Sequence, residues 1–535
     1  MTKLTQSLQN TRPFILFENT DADTLKQALA AIDEERKKGH YLAGYISYEA
    51  GYALSEKLSG YLPEKNNGGQ ALLRFYAFDR VQKTTAQEVT KALAELPESP
   101  PYIKHWQPTE SETEYVEKLS KIHDYIAAGD TYQVNHTYRV NFELAGSIHG
   151  LYAALRVRQP VPFSALMHLP DCSVLSLSPE LFVKKQGTSL MTRPMKGTAA
   201  RGKTDKDDRA ILKAMAEDKK QQSENLMIVD LMRNDIGRLA KTGTMKVSKL
   251  FEIQTYKTLH QMISTIGGEV DPDISFTAVV EGLFPCGSIT GAPKIRTMEI
   301  IHELENTPRN IYTGAIGFIT PGNDFSFNVP IRTLTFPNSA SKGSLGIGGG
   351  IIYESDASDE WRESKLKAQF LTGLNEQFQL IESFLYKAST DHIPRFGLHL
   401  ERLTNSADFF GIPLVVAEVK DAVMNHIAVL KQAHDHQNSA NNYKIRLLLN
   451  HVGECSVNSE VISENNPGNQ NNLPKIALSN FRIEAGNLFR QHKTTNRKLY
   501  NDEFSKYAAQ GFYDVLFLNE QGNIAEASSN LSPWK

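Results

Sequence analysis

The chain has 535 residues, 40% of them hydrophobic, and sets 58 basic against 61 acidic side chains for a formal net charge of −3. That length predicts two or three domains, and so even a charge balance leaves no footprint for nucleic acid or an anionic membrane. Cys172, Cys286 and Cys455 are too few and too scattered for a disulfide framework or a zinc site, no apolar run reaches bilayer length, and the first residues hold no signal region, so a cytoplasmic protein is expected.

The pattern predicts a strand over 14–18, an amphipathic helix over 23–38 and a dense apolar and aromatic stretch at 41–52. Alternation predicts a strand over 72–78. Pro97, Pro100 and Pro101 then mark a boundary between an N-terminal part, 1–100, and a central part, 101–376. A helical period over 111–128, carried by Tyr115, Leu119, Ile122, Tyr125 and Ile126, stops at Gly129-Asp130. Strands are expected at 131–140, 164–168, 173–177 and 181–185, and one long helix or a broken pair at 205–231. A strand at 247–254 precedes a glycine-bearing loop, 285–294, and a helix over 295–304. Strands at 313–320, 325–335 and 344–347 and a helix over 359–376 complete this part. Near Leu380 the organisation restarts as a third part, 377–535, with strands at 381–386 and 444–449 and helices at 398–410 and 416–434. Its polar stretches 434–442 and 464–472 read as solvated loops. Antiparallel strands with interspersed helices make the chain α+β.

Residues 193–201 read Arg-Pro-Met-Lys-Gly-Thr-Ala-Ala-Arg, placing Lys196 between two arginines. Neighbouring cations disfavour an ammonium, so its pKa is expected to fall and free amine to become available as a nucleophile. Glu180, sixteen residues earlier, supplies a carboxyl group for acid work. By itself the segment would also suit a basic surface turn. Glu224 stands off the apolar stripe of its helix, and Glu360 and Glu363 share a face of another. Carboxylates from two helices facing one cavity suit a hard cation such as Mg²⁺. Gly348, Gly349 and Gly350 follow one another at a strand end, where bare N–H groups can approach an anion. Arg332 can take a carboxylate with both arms of its fork, whereas His260 alone would read as a structural histidine.

The stretches 129–137, 178–180, 193–198, 224–235, 287–294, 331–333 and 348–367 stand in the order found in the chorismate-utilising enzymes, and the chain resembles aminodeoxychorismate synthase component I over roughly 14–368. The resemblance implies two large antiparallel sheets packed face to face with helices outside. It implies that Lys196 attacks C2 of chorismate, that Glu180 protonates the departing C4 hydroxyl, and that ammonia then attacks C4 and displaces the lysine. It places Mg²⁺ on Glu224 and Glu363 with Glu360 close by. It also implies that Arg332, Tyr312 and the backbone of Gly348, Gly349 and Gly350 hold the substrate's carboxylates, and that Asn135, His260 and Thr290 occupy site positions. Anthranilate-forming relatives have alanine in place of Lys196, and salicylate-forming relatives have a lysine in place of Gln133. The chain has no Gly-x-Cys-x-Gly elbow, and the resemblance implies that a separate glutamine amidotransferase subunit supplies the ammonia.

The C-terminal part resembles the fold-type IV pyridoxal-phosphate enzymes, which include aminodeoxychorismate lyase, through 399–403, 492–497 and 523–530. There the resemblance assigns the Schiff-base lysine to Lys493, the pyridine-nitrogen partner to Glu526 and the phosphate ligand to Arg402. The chain stops at Lys535, just after Asn530, and a partial α/β domain with an incomplete cofactor site is expected. The other readings are anthranilate synthesis, a bifunctional synthase and lyase, and a non-catalytic subunit that docks an amidotransferase.

Overall fold

The computed structural model describes residues 4–7, 15–19, 22–62, 71–94, 101–256, 259–338, 341–375, 378–433, 442–462, 475–483, 489 and 492–528. Of the expected features, Phe14, Pro97, Pro100, Glu376, the stretches 434–441 and 464–472, and residues 529–535 lie outside that set. The chain forms two compact units, one of residues 1–96, 106–143 and 151–370, the other of 97–105, 144–150 and 371–535.

Two large antiparallel sheets build the first unit. The ten-stranded sheet runs in the order Met195–Ala200, Leu259–Glu269, Ser189–Arg193, Leu181–Gln186, Phe325–Asn328, Ala315–Ile319, Tyr41–Ile46, Leu73–Phe78, Ile15–Asn19, with Lys246–Thr255 also paired to Leu259–Glu269. Strands from both sides of residue 100 therefore share one sheet. The seven-stranded sheet runs Gly291–Ala292, Gln133–Ala145, Lys342–Ile351, Thr333–Pro337, Cys172–Ser178, Phe163–His168, with Tyr102–Pro108 joined to Gln133–Ala145. Tyr45 and Ile316 of the first sheet pack with Cys172 and Val174 of the second in a common apolar core.

Two short chain segments cross directly between the sheets, and both carry candidate site residues. One is Ser178-Pro179-Glu180, between Cys172–Ser178 and Leu181–Gln186. The other corrects the single strand expected over 325–335. The chain leaves the ten-stranded sheet at Asn328 and enters the seven-stranded one at Thr333. Pro330 offers no N–H to a ladder, and Arg332 takes a left-handed φ of 50° that breaks the extended run.

Local chemistry accounts for the helices that flank the site. Glu112–Ala127 opens on a reciprocal Ser111–Glu114 capping box and buries Tyr115, Leu119 and Ile122. Of the long helix or broken pair expected over 205–231, the chain forms the pair, Asp205–Glu217 and Lys219–Gly237. Asp218 between them is extended, and its carboxylate caps the second helix by accepting from the Gln221 N–H at 3.1 Å.

In the second unit, Leu380–Lys387, Asn442–Leu449 and Cys455–Ile462 form an antiparallel sheet, and the helices Phe396–Phe410 and Val416–Ala433 contribute to its core. A second three-stranded sheet pairs Ile476–Ile483 parallel to Asp514–Asn519, with Ile524–Ala527 antiparallel at the edge.

Candidate active site

Lys196 lies on Met195–Ala200, opposite Met262 of Leu259–Glu269. Its ammonium is pulled below the ordinary lysine range, first by burial; Lys367 pushes the same way while Glu224, Glu363 and Glu360 oppose. The direction is the expected one, but the flanking arginines are not its source. Arg201 donates from Nε to Asp208 at 3.0 and 2.9 Å, and Arg193 lies 3.7 Å from Glu252, so each has a carboxylate of its own.

Glu180 is 3% exposed, and burial pushes its carboxyl up to about 7, against the favourable influence of Ser288, Lys196, the Met195 N–H and Arg332. Ser288 Oγ donates to its Oε1 at 2.6 Å. A carboxylic acid that titrates near neutrality therefore lies within electrostatic reach of a lysine tuned toward its free amine. That is the pairing required for nucleophilic attack with acid-assisted departure of a leaving group.

The three glycines lie at the end of a strand, as expected, but inside the ladder: Lys342–Ile351 carries them in antiparallel register, Gly348 opposite Thr137, Gly349 opposite His136 and Gly350 opposite Asn135. None takes a left-handed φ, so they do not form the curled N–H nest that cradles an anion. Their use is spatial. A Cβ on Gly350 would stand 2.5 Å from Lys196 Nζ and 2.9 Å from Gln133 Nε2, so the missing side chain is the room the amine occupies. Gln133 is fully buried there, and neither polar atom of its amide has a partner among the described residues.

On Ala357–Thr372, Glu363 and Lys367 form an ion pair at 3.0 Å, and Lys367 Nζ also donates to the Gly348 carbonyl at 3.0 Å. Lys367 holds the Glu363 carboxyl below its usual range; burial first and then Glu363 raise that of Glu360, which accepts from Ser355 Oγ at 2.8 Å. Glu224, from Lys219–Gly237, acts on the same lysine charge as these two. The donors are all oxygens, the chemistry of a hard cation. Among the described residues no three acidic, histidine or cysteine side chains converge as a metal cluster, so a cation would need further oxygens from its substrate.

Arg332 is brought down to about 10 by burial, with Tyr256 and Glu180 opposing, and the Gln159 amide oxygen, turned toward it, accepts from Nε at 3.1 Å. Tyr312 is buried under the Arg139 guanidinium, 5.2 Å from its ring, and against Gly346. Both ring nitrogens of His260 are engaged, by Thr255 Oγ1 at 3.0 Å and Asp208 at 2.8 Å. Thr290 and Asn135 brace the loop that carries Ser288. Thr290 Oγ1 donates to the Cys286 and Gly287 carbonyls at 3.2 Å, and the Asn135 N–H donates to the Thr290 carbonyl at 2.8 Å. Arg309, 2% exposed, ties that loop to the sheet by donating to the Ile289 carbonyl at 2.8 Å and the Asn135 carbonyl at 2.6 Å. Sequence reasoning missed Ser288, Arg309 and Lys367. Only Lys367 carried a signal, its place four residues after Glu363 on the same helix face.

Residues 3–373 match the chorismate binding enzyme family. The chain belongs to that family. Against aminodeoxychorismate synthase component 1 of Bacillus subtilis, 38% of 258 residues are identical, covering 48% of this chain and 54% of the relative. Against anthranilate synthase component 1 of Aquifex aeolicus, 34% of 274 residues are identical, covering 51% and 55%. The chain thus spans about half the length of the curated relatives it matches. The solved structure of anthranilate synthase component I from Streptococcus pneumoniae superposes with a TM-score of 0.59 at 22% identity, over 69% of this chain and 92% of that one, which shows the shared fold.

The chorismate-binding region is followed by a match to the amino-transferase class IV family over residues 379–531. Within the second unit, burial lowers the Lys493 ammonium, aided by Arg402, Arg497 and Lys444 and opposed by Glu382. Arg402 is already committed, with Nε and Nη2 on the two oxygens of buried Glu382 at 2.6 and 2.5 Å, and His399 Nδ1 shares that carboxylate at 2.7 Å. Glu526 accepts from the Tyr500 hydroxyl. The lysine and the acid have the chemistry a pyridoxal phosphate would need, but the fork that would take its phosphate is closed on Glu382. The set as it stands does not fit that cofactor.

Proposed function

We propose that this chain aminates chorismate at C4 to 4-amino-4-deoxychorismate, the precursor of p-aminobenzoate for folate synthesis, in the cytoplasm. The observation that carries the reading is the Lys196–Glu180 pairing, an amine shifted toward its neutral form and a buried acid titrating near 7. Lys196 Nζ forms a bond to C2, the ring double bonds shift, and the C4–oxygen bond breaks as Glu180 gives its proton to the hydroxyl, which leaves as water. Ammonia then attacks C4, the double bonds return, and the lysine departs from C2 with its electron pair restored. Arg332 and Tyr312 would hold substrate carboxylates, with the Gly348–Gly350 strand as the floor beneath them. Glu224, Glu360 and Glu363 would hold Mg²⁺, whose charge supports the ring carboxylate. His260, with both nitrogens engaged, would steady the neighbouring strand. A glutamine amidotransferase subunit would deliver the ammonia. Pyridoxal-dependent lyase chemistry is not proposed for the second unit, because Arg402 is engaged with Glu382.

The test is purified chain with chorismate, Mg²⁺ and ammonium salt, the product identified by mass. Aminodeoxychorismate is expected; anthranilate, or no turnover, would overturn the reading. Glutamine in place of ammonium should give no product unless a partner is added.

A further inference from the structure

Ser288 is the side chain that fixes one oxygen of the Glu180 carboxyl, Oε1. The two residues lie 108 positions apart and meet in a buried contact, Ser288 being 6% and Glu180 3% exposed. Ser288 Oγ lies 2.6 Å from Glu180 Oε1 and 3.2 Å from Cys286 Sγ. A hydroxyl has one proton to give. Burial pushes the Cys286 thiol up to about 12, so it keeps its proton, and with the Ser288 proton on Glu180 the thiol is the donor that fits the contact to Ser288 Oγ. The order is thiol to hydroxyl to carboxyl, each bond polarising the next.

We propose that Ser288 is the positioning residue for Glu180: by donating to Oε1 it confines the proton of the acid form to Oε2, the oxygen left to serve the leaving group. The inference rests on the chorismate-aminating reading for the identity of that leaving group. When the proton has passed to the departing hydroxyl oxygen, Glu180 is a carboxylate that still accepts from Ser288, so the same contact supports the ionised form. The other groups facing this carboxyl are the Met195 N–H and two cations, Lys196 from Met195–Ala200 and Arg332 from the other crossing segment. Ser288 is thus its neutral side-chain donor. The loop that presents it is stiff. Thr290 closes the turn on the Cys286 and Gly287 carbonyls, Arg309 holds the Ile289 carbonyl, and a Cβ on Gly287 would stand 2.6 Å from Leu231 Cδ2.

The experiment compares the full-length parent chain with Ser288→Ala, Ser288→Thr and Glu180→Gln. It uses two readouts, the pH profile of ammonia-dependent amination and an infrared titration of the carboxyl C=O band, assigned by its absence in Glu180→Gln. Ser288→Ala should lower the rate on the plateau about tenfold. It should also move both the alkaline limb and the carboxyl titration upward by about one pH unit, the worth of one hydrogen bond to an ionised group. Ser288→Thr, which keeps the hydroxyl, should bring both back toward the parent. A merely structural serine would lower the rate without moving either titration, and that result would overturn the proposal. The infrared readout needs no turnover, so an unmoved carboxyl titration defeats the Ser288 assignment, while a chain that fails to aminate chorismate defeats the functional reading separately.

Discussion

Each unit holds a lysine whose charged form is disfavoured by burial, and the two lysines differ in what surrounds them. Lys196 meets a protonatable acid and three carboxylates, whereas Lys493 lies among Arg402, Arg497 and Lys444 with a carboxylate already paired to arginine. A lowered lysine pKa is therefore a product of packing and does not by itself mark a site. The partner able to move a proton is what separates the two.

Lys196→Ala should break the comparison hardest. Ammonia-dependent kcat is expected to fall at least about a thousandfold while chorismate still binds in a calorimeter, and Lys493→Ala should leave that rate unchanged. Equal losses in both variants would erase the distinction.

Glu180→Gln comes next, with a loss of about 10²–10⁴ in kcat. In the parent chain the acid must be protonated, so kcat/KM should decline as pH rises through about 7. Stability carries the same signature. The unfolded chain loses this proton near 4.5 and the folded chain near 7, so the contribution is present below 4.5 and is lost as pH rises through 7. Above that pH the native state buries a charge, and Glu180→Gln should be the more stable protein at pH 8 by up to about 3 kcal/mol. At pH 4 the two should melt alike. A variant less stable than the parent at pH 8 would mean that the carboxylate is better compensated than its burial implies.

Glu224→Gln combined with Glu363→Gln should abolish Mg²⁺ stimulation together with most of the activity. Turnover that still responds to Mg²⁺ would move the metal to other residues. The arginine pairs sharpen the contrast through stability. Arg309→Met takes the cation from Glu305, whose side chain is 5% exposed and keeps the Thr137 N–H, and should cost about 3–5 kcal/mol in denaturant melts. Arg402, whose side chain is 48% exposed, should cost only about 1 kcal/mol on the same change, because His399 remains on Glu382. The smallest signal is expected from the second unit. Incubation with pyridoxal phosphate followed by desalting should leave no stoichiometric cofactor absorbance, and a retained spectrum that Lys493→Ala removes would show that Arg402 gives up Glu382 to the phosphate.

Elements whose causes are local were legible in the chain. The helix Glu112–Ala127 begins and ends where Ser111 and Gly129 say it should. The run 325–335 misled because alternation continues across Pro330, while the residues on either side belong to different sheets. The triple glycine misled in another way. Glycine reports that something comes close, and nothing in residues 346–351 says that the neighbour is the amine of Lys196.

The order of the motifs along the chain and the family they belong to were settled by sequence alone, because each motif is contiguous and reads without its neighbours. Protonation was settled only in three dimensions. The arginines beside Lys196 were expected to tune it, yet Asp208 and Glu252 take them, and burial with Lys367 does the work. Glu180 becomes an acid near neutrality because the chain crosses there between two sheets and excludes water, and Ser288 reaches it from 108 residues away. A pKa measures the free energy of a charge in its surroundings, and those surroundings exist only once distant segments have packed.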